Sequence, residues 1–164
     1  MSTSEKTDSS PVVVESSQRP SWDQHWMDAA TLASQMSTCA SGRKVGAAFV
    51  GDERLLATGF NGVPSGYPHP ETCARREAGV PSGQGLELCI CAHAEANGIA
   101  NAARYGVSLQ GSTVYVTCQP CASCMGALAN VGVARVVYKE PYPDDRSESI
   151  AVHDGIKLDC ITTG

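Results

Sequence analysis

The chain has 164 residues, enough for one domain with a buried core, and a formal net charge of −5 that offers duplex nucleic acid no general basic field. No apolar run approaches the ~20 residues needed to span a bilayer, and the N-terminus lacks the basic and apolar regions of a secretory leader. The charge and the lack of a long apolar run favour a small-molecule substrate, without membrane or duplex nucleic acid as partner, and the clustering of cysteines near His93 and in a C-x-x-C implies a reducing, cytoplasmic setting.

Residues 1–20 are rich in Ser, Thr and charge and are predicted to form a disordered tail, with Val12–Val14 as a short apolar exception. Ser21 reads as a helix N-cap with Gln24 in the capping-box position. Trp22, Trp26, Ala29, Ala30, Ala33 and Met36 then recur at helical spacing, which predicts a helix over 22–38. Val45–Val50 and Leu55–Phe60 read as two strands of a hairpin, with Gly51-Asp52-Glu53 as the turn. Residues 61–91 carry Gly and Pro throughout and read as a long loop; a loop of that length inside a domain is usually functional or pinned by a metal. An alanine-rich helix is predicted over 92–105, a strand over Thr113–Cys118, a helix over 121–130 and a strand over Val133–Lys139. The signal after Pro141 is weaker, with a last strand near Ile156–Ile161. The late strand-helix-strand alternation implies parallel pairing, so the expected fold is α/β: a mixed sheet with helices on both faces, in a domain spanning 21–164 with 61–91 as its insertion.

The chemistry concentrates in two short motifs. His93-Ala94-Glu95 precedes Pro120-Cys121-Ala122-Ser123-Cys124. The arrangement H-x-E with P-C-x-x-C is the signature of zinc deaminases acting on cytosine or adenine rings. One imidazole and two thiolates give three zinc ligands and leave a tetrahedral corner for water, unlike a closed structural site. Cys121 and Cys124, at i and i+3, share a helix face, and a helix N-terminus favours their thiolates. Glu95 is the expected general acid–base. The plain alternatives are ordinary helix-start residues at His93 and Glu95, and a structural or redox CxxC at Cys121 and Cys124. Both motifs in this order and near helix starts argue against them. Of the eight cysteines, Cys118 and Cys160 read as structural, and clustering in place of even spacing argues for metal over disulfides.

Beyond these motifs the chain resembles the deoxycytidylate (dCMP) deaminase branch of the cytidine deaminase-like superfamily. The matching stretches are Ser21-Trp22-Asp23-Gln24; Ser37-Thr38-Cys39 with Val45-Gly46-Ala47; Ala57 through Gly66, including Thr58-Gly59-Phe60-Asn61-Gly62; Cys89 through Asn97; Gly111 through Thr117; and Val136-Val137-Tyr138 to Pro143-Asp144. The family usually has Tyr where Phe60 stands. The resemblance implies a three-layer α/β/α fold with a five-stranded sheet and hydrolysis of dCMP to dUMP and ammonia for thymidylate synthesis. It implies catalytic zinc on His93, Cys121 and Cys124, Asn61 near the sugar, and the Ala94 amide on the pyrimidine carbonyl. It further implies a homo-oligomer, often a hexamer, activated by dCTP with Mg2+ and inhibited by dTTP, with Gly59, Asn61 and Gly62 in the effector loop. A plain turn is the alternative for Asn61-Gly62. Some members hold a second, structural zinc in the insertion, for which Cys39, His69, Cys73, Cys89 and Cys91 are the available donors here. His69-Pro70 and one extra residue between Cys39 and Val45 depart from the usual pattern.

Arg43, Lys44 and Arg104 are the phosphate candidates by charge, and Tyr138 and Tyr142 candidates for the pocket wall. Arg75 and Arg76 lie in the insertion and are candidates to serve a neighbouring subunit or an effector; the plain alternative for each of these cations is a solvated surface charge. Other readings stay open: a deaminase of dCTP or of 5-substituted dCMP, a tRNA adenosine or free-base deaminase, or a zinc-stabilised nucleotide-binding module without turnover.

Overall fold

The structure is a computed structural model, and it describes residues 19–40, 42–81, 84–142 and 144–161. The expected N-terminal tail therefore lies, but for its last two residues, outside the described part. Helix α1 (Trp22–Ser34) leads into strands β1 (Gly46–Gly51) and β2 (Arg54–Phe60). Then come the one-turn helix α2 (Ala74–Glu77), a 3-10 turn at Leu86–Leu88, helix α3 (Ala94–Arg104) and strand β3 (Thr113–Cys118). Helix α4 (Ala122–Asn130), strand β4 (Arg135–Glu140), helix α5 (Asp145–His153) and strand β5 (Lys157–Cys160) complete the order.

The five strands lie in the order β2-β1-β3-β4-β5. β1 pairs antiparallel with both β2 and β3, while β3, β4 and β5 run parallel. Asp52 and Glu53 both have positive φ (50° and 57°), as a two-residue hairpin turn requires between Gly51 and Arg54. Strand alternation sends Ala47, Phe49, Val114, Val116 and Val136 to one face, where they pack with Ala94 and Ala102 of α3, Met125 and Leu128 of α4 and Ala151 of α5. Ala48, Val50, Tyr115 and Val137 go to the other face, against Met27 and Ala30 of α1. The result is the expected three-layer α/β/α sandwich with a mixed sheet.

Both helical layers approach the hairpin at backbone distance. A Cβ on Gly46 would sit 2.0 Å from the Ala30 carbonyl oxygen of α1, and one on Gly59 2.1 Å from the Ala94 carbonyl oxygen of α3. These glycines are therefore required by close packing. Gly98 of α3 meets Phe49 in the same way, with 2.2 Å to a ring carbon.

Local predictions differ from the fold in three places. Helix α1 stops at Ser34, short of 38, and its cap works through the backbone: Gln24 N–H donates to Ser21 Oγ at 3.1 Å. The Gln24 side chain turns forward to Asp28 at 2.7 Å, so no reciprocal capping box forms. The 61–91 loop contains α2 and the 3-10 turn. Helix α5 was not read from the sequence; it is polar over most of its length and is stabilised mainly by packing on α4.

Candidate active site

The site lies where α3 and α4 begin, beside the ends of β1 and β3. His93 is the N-cap residue of α3, and Cys121 that of α4. Three devices place His93. Gly62 and Ala92 exchange backbone hydrogen bonds at 3.1 and 2.9 Å just before it. The Asn97 amide donates to the Phe60 carbonyl at 2.8 Å, and the Asn101 amide, one turn on, to the Thr58 carbonyl at 2.9 Å. With the Gly59 contact, these bonds hold α3 along β2.

The start of α4 is fixed from below. Asp144 accepts from the Ala122 N–H at 2.8 Å with one oxygen, and from the Arg146 and Ser147 N–H groups at 3.2 and 3.4 Å with the other. One carboxylate thus caps two helices. Ser147 Oγ donates to the Pro120 carbonyl at 2.7 Å, tying α5 to the residue before the first thiol. Sequence reading gave Asp144 no role, although Asp after Pro143 is a cap signal.

These restraints bring Cys121 Sγ and Cys124 Sγ to 3.5 and 3.4 Å from His93 Nδ1. All three donor atoms lie within 4.8 Å of one another, and among the described residues no fourth His, Cys or carboxylate joins them. A tetrahedral ion about 2.0–2.1 Å from nitrogen and about 2.3 Å from sulfur spaces N and S about 3.5 Å apart, so the trio fits zinc with one corner left over. The Cys121 thiol is pulled down to about 4, first by the Cys124 hydrogen bond and, against burial, by His93. Cys124 is pushed up by the same shared proton and by burial. A dication replacing that proton makes both sulfurs thiolates.

Glu95, in the first turn of α3, is 3% exposed. Burial raises its carboxyl above the ordinary range, which favours the protonated form. It lines a cleft with His93, Ala94, Cys121, Gln119 and Asn61. Asn61 is 7% exposed and nearly saturated: Oδ1 accepts from Ser37 Oγ (2.7 Å) and the Val45 N–H (2.8 Å), and Nδ2 donates to the Arg43 carbonyl (2.8 Å). One Nδ2 hydrogen remains for a ligand.

The other expected residues separate. Arg43 and Tyr142 line the cleft, and the Arg43 guanidinium is ion-paired to Glu140 at 2.8 Å. Lys44 and Tyr138 are not among the lining residues. Arg104 stands in the last turn of α3, against the Tyr105 ring at 6.0 Å. Arg75, assigned from sequence to a neighbour or an effector, lines the cleft of its own chain. Gly59 and Gly62 serve local packing, since a Cβ on Gly62 would meet Thr38 Oγ1 at 2.5 Å. In the insertion, the sulfurs of Cys39, Cys89 and Cys91 lie within 4.8 Å of one another. Cys73 Sγ is 4.0 Å from Cys89 Sγ, whereas His69 is exposed and outside the cluster. Sequence reading also passed over Gln119, 4% exposed, which accepts the Tyr142 N–H at 3.0 Å and so holds the far wall.

A three-layer α/β/α sandwich carrying one His and two Cys at two helix starts, with a buried Glu beside them, defines a zinc-type hydrolytic deaminase. The family profile described as the cytidine and deoxycytidylate deaminase zinc-binding region matches residues 20–140. The deoxycytidylate deaminase of Mycobacterium phage D29 is 42% identical over 125 residues, covering 73% of this chain and 95% of that protein. That of Schizosaccharomyces pombe is 35% identical over 143 residues, and this chain spans 44% of its length. The dCMP deaminase of cyanophage S-TIM5, crystallised with dCMP and dUMP, superposes with a TM-score of 0.73 at 29% identity, covering 88% of this chain and all of that one. The chain belongs to the cytidine and deoxycytidylate deaminase family and is a zinc-dependent hydrolytic deaminase.

Proposed function

We propose that this protein hydrolyses dCMP to dUMP and ammonia, supplying dUMP for thymidylate synthesis. The observation that carries the reading is the buried Glu95 carboxyl in one cleft with His93 and Cys121, whose donor atoms cluster with that of Cys124. The relatives named as deoxycytidylate deaminases, and the cyanophage enzyme that binds dCMP and dUMP, support the choice of substrate. His93, Cys121 and Cys124 hold the zinc, which when bound supplies a Lewis acid that acidifies a water molecule. Glu95 takes a proton from that water and passes it to ring N3 while the water oxygen adds at C4. The same carboxylate then takes the proton of the new C4 hydroxyl and gives it to the departing amine, so that the C4–N bond breaks, the C4 carbonyl forms and ammonia leaves. The Ala94 N–H, in the first turn of α3 and without an intrahelical acceptor, holds the pyrimidine carbonyl. Asn61 donates its remaining Nδ2 hydrogen to the sugar, and Tyr142 walls the pocket.

Further parts of the reading rest on the family resemblance. The catalytic domain spans 21–164 with 61–91 as its insertion, in a cytoplasmic enzyme none of whose eight cysteines is paired in a disulfide. Among the described residues no helix is long and apolar enough to cross a membrane. A second, structural zinc sits on Cys39, Cys89 and Cys91, with Cys73 adjacent. Subunits form a homo-oligomer such as a hexamer, activated by dCTP with Mg2+ and inhibited by dTTP through the Gly59–Gly62 loop.

A substrate panel tests this. Purified protein is given dCMP, dCTP, 5-methyl-dCMP, cytidine or adenosine-containing RNA, with and without dCTP and dTTP, while ammonia release and ultraviolet absorbance are followed. Elemental analysis counts zinc per chain in the same sample. The expected result is fastest turnover of dCMP, opposite responses to the two triphosphates, and two zinc ions per chain. Turnover of adenosine RNA or dCTP in preference to dCMP overturns the substrate assignment.

A further inference from the structure

The insertion carries a cation that the reaction scheme above leaves unused. Arg75, on α2, is held by two backbone carbonyls: its Nε donates to the Gln84 oxygen at 2.6 Å and its Nη2 to the Pro81 oxygen at 2.7 Å. Among the described residues no carboxylate lies within ion-pair distance of it. Its guanidinium is thus oriented, uncompensated and in the wall of the cleft that contains Glu95. Two of its five N–H donors are spent on the carbonyls, and three remain. Its field reaches the Tyr142 phenol, partly offsetting the burial and the Cys121 charge that push that phenol up.

The competing cations are less suited. Arg43 arrives already neutralised by Glu140. Lys44 is outside the lining. Arg104 lies eleven positions beyond His93, about 16.5 Å along the axis of α3. In a chain of net charge −5, an anionic substrate group needs a local positive partner, and a guanidinium matches a phosphate through paired N–H donors.

We propose that Arg75 is the specificity-determining residue for the 5′-phosphate: it anchors the monophosphate of the nucleotide at the cleft wall and so separates nucleotides from nucleosides. This rests on the deaminase reading above. It also gives the insertion a task. Cys73, the residue before α2, packs its sulfur 4.0 Å from that of Cys89, so the cysteine cluster steadies the helix that carries Arg75.

The test compares wild type, Arg75→Gln, Arg75→Lys and the exposed neighbour Arg76→Gln. For each, kcat and KM are measured with dCMP and with deoxycytidine, and binding of dUMP and of deoxyuridine is measured by calorimetry. In Arg75→Gln the kcat/KM preference for dCMP over deoxycytidine falls about tenfold or more, mostly through KM, as loss of a charge-assisted contact predicts. Its dUMP binding weakens in step while deoxyuridine binding does not, Arg75→Lys falls between, and Arg76→Gln keeps the wild-type preference. An unchanged preference in Arg75→Gln, or an equal loss of dUMP and deoxyuridine binding, overturns the proposal and leaves the dCMP reading standing. If wild type does not turn over dCMP, that reading fails. The anchor is then decided by calorimetry alone, and equal dUMP affinity in wild type and Arg75→Gln sinks it.

Discussion

At the residue scale the strongest constraint falls on Glu95. A carboxyl buried to 3% exposure costs stability, and burial raises its proton affinity. Glu95→Gln keeps the shape and removes the proton exchange. Turnover is expected to fall by about 10²–10⁴ or more, with zinc content retained and thermal stability equal or higher. Elemental analysis, thermal melts and ammonia release on one preparation check this; substantial residual turnover removes Glu95 from its role. Glycine is equally constrained where backbones meet. Gly59→Ala sets a methyl group 2.1 Å from the Ala94 oxygen and 2.4 Å from the Gly98 nitrogen, so α3 and with it His93 must shift. A loss of about 1–3 kcal/mol or more in stability is expected, together with weaker zinc retention. Gly126→Ala, in a helix with nothing within 4 Å of the added carbon, is the matched control and is expected to gain about 0.4–1 kcal/mol. Denaturant titrations of the two variants distinguish packing from a general intolerance of alanine.

At the element scale, the metal donors depend on where two helices begin, and Asp144 sets one of those starts. Its carboxylate takes N–H groups from the first turns of both α4 and α5. The Ala122 N–H in particular holds its acid form well below the usual carboxylate range. Removing it in Asp144→Ala uncaps two helices at once, each worth about 1 kcal/mol. It also frees the α4 start that presents Cys121 and Cys124. A supporting group of this kind typically changes metal affinity by about 10–100-fold. Chelator competition is expected to strip zinc from Asp144→Ala faster than from wild type, whereas Asp145→Ala, next door, is expected to behave as wild type. Equal zinc affinity in all three proteins contradicts this role for the cap.

At the scale of the whole molecule, one ionic network joins the two ends of the described chain to the sheet. Arg135 of β4 grips both oxygens of Asp23 at 2.7 and 2.8 Å and reaches Asp159 of β5 at 2.7 Å, while the Tyr115 hydroxyl donates to Asp23 at 2.8 Å. The Arg135 hydrogen bonds come first among the causes that lower the Asp23 and Asp159 carboxyls. A lowered folded-state value means that the stability is fully present above the ordinary carboxylate value of about 3.9 and is lost as pH falls through the folded value. Melting temperature is therefore expected to drop on acidification below about pH 4, and less steeply in Asp23→Asn. Parallel declines in the two proteins contradict a role for this network. The resemblance of residues 21–145, with the strand alternation, made the sandwich, the hairpin and the parallel half of the sheet legible before any coordinates. His93, Glu95, Cys121 and Cys124 were legible because their spacing is local and their chemistry is carried by residue type. The span of α5 was not, because a polar helix takes its stability from the α4 surface it covers. Nor was the place of Arg75, since the path of a long insertion is set by backbone carbonyls and sulfur contacts far apart in sequence. The amino-acid order by itself determined which side chains are the candidates to hold a metal and move a proton. Only the tertiary structure decided which cations line the cleft beside them, because cleft walls are built from segments whose meeting no local pattern records.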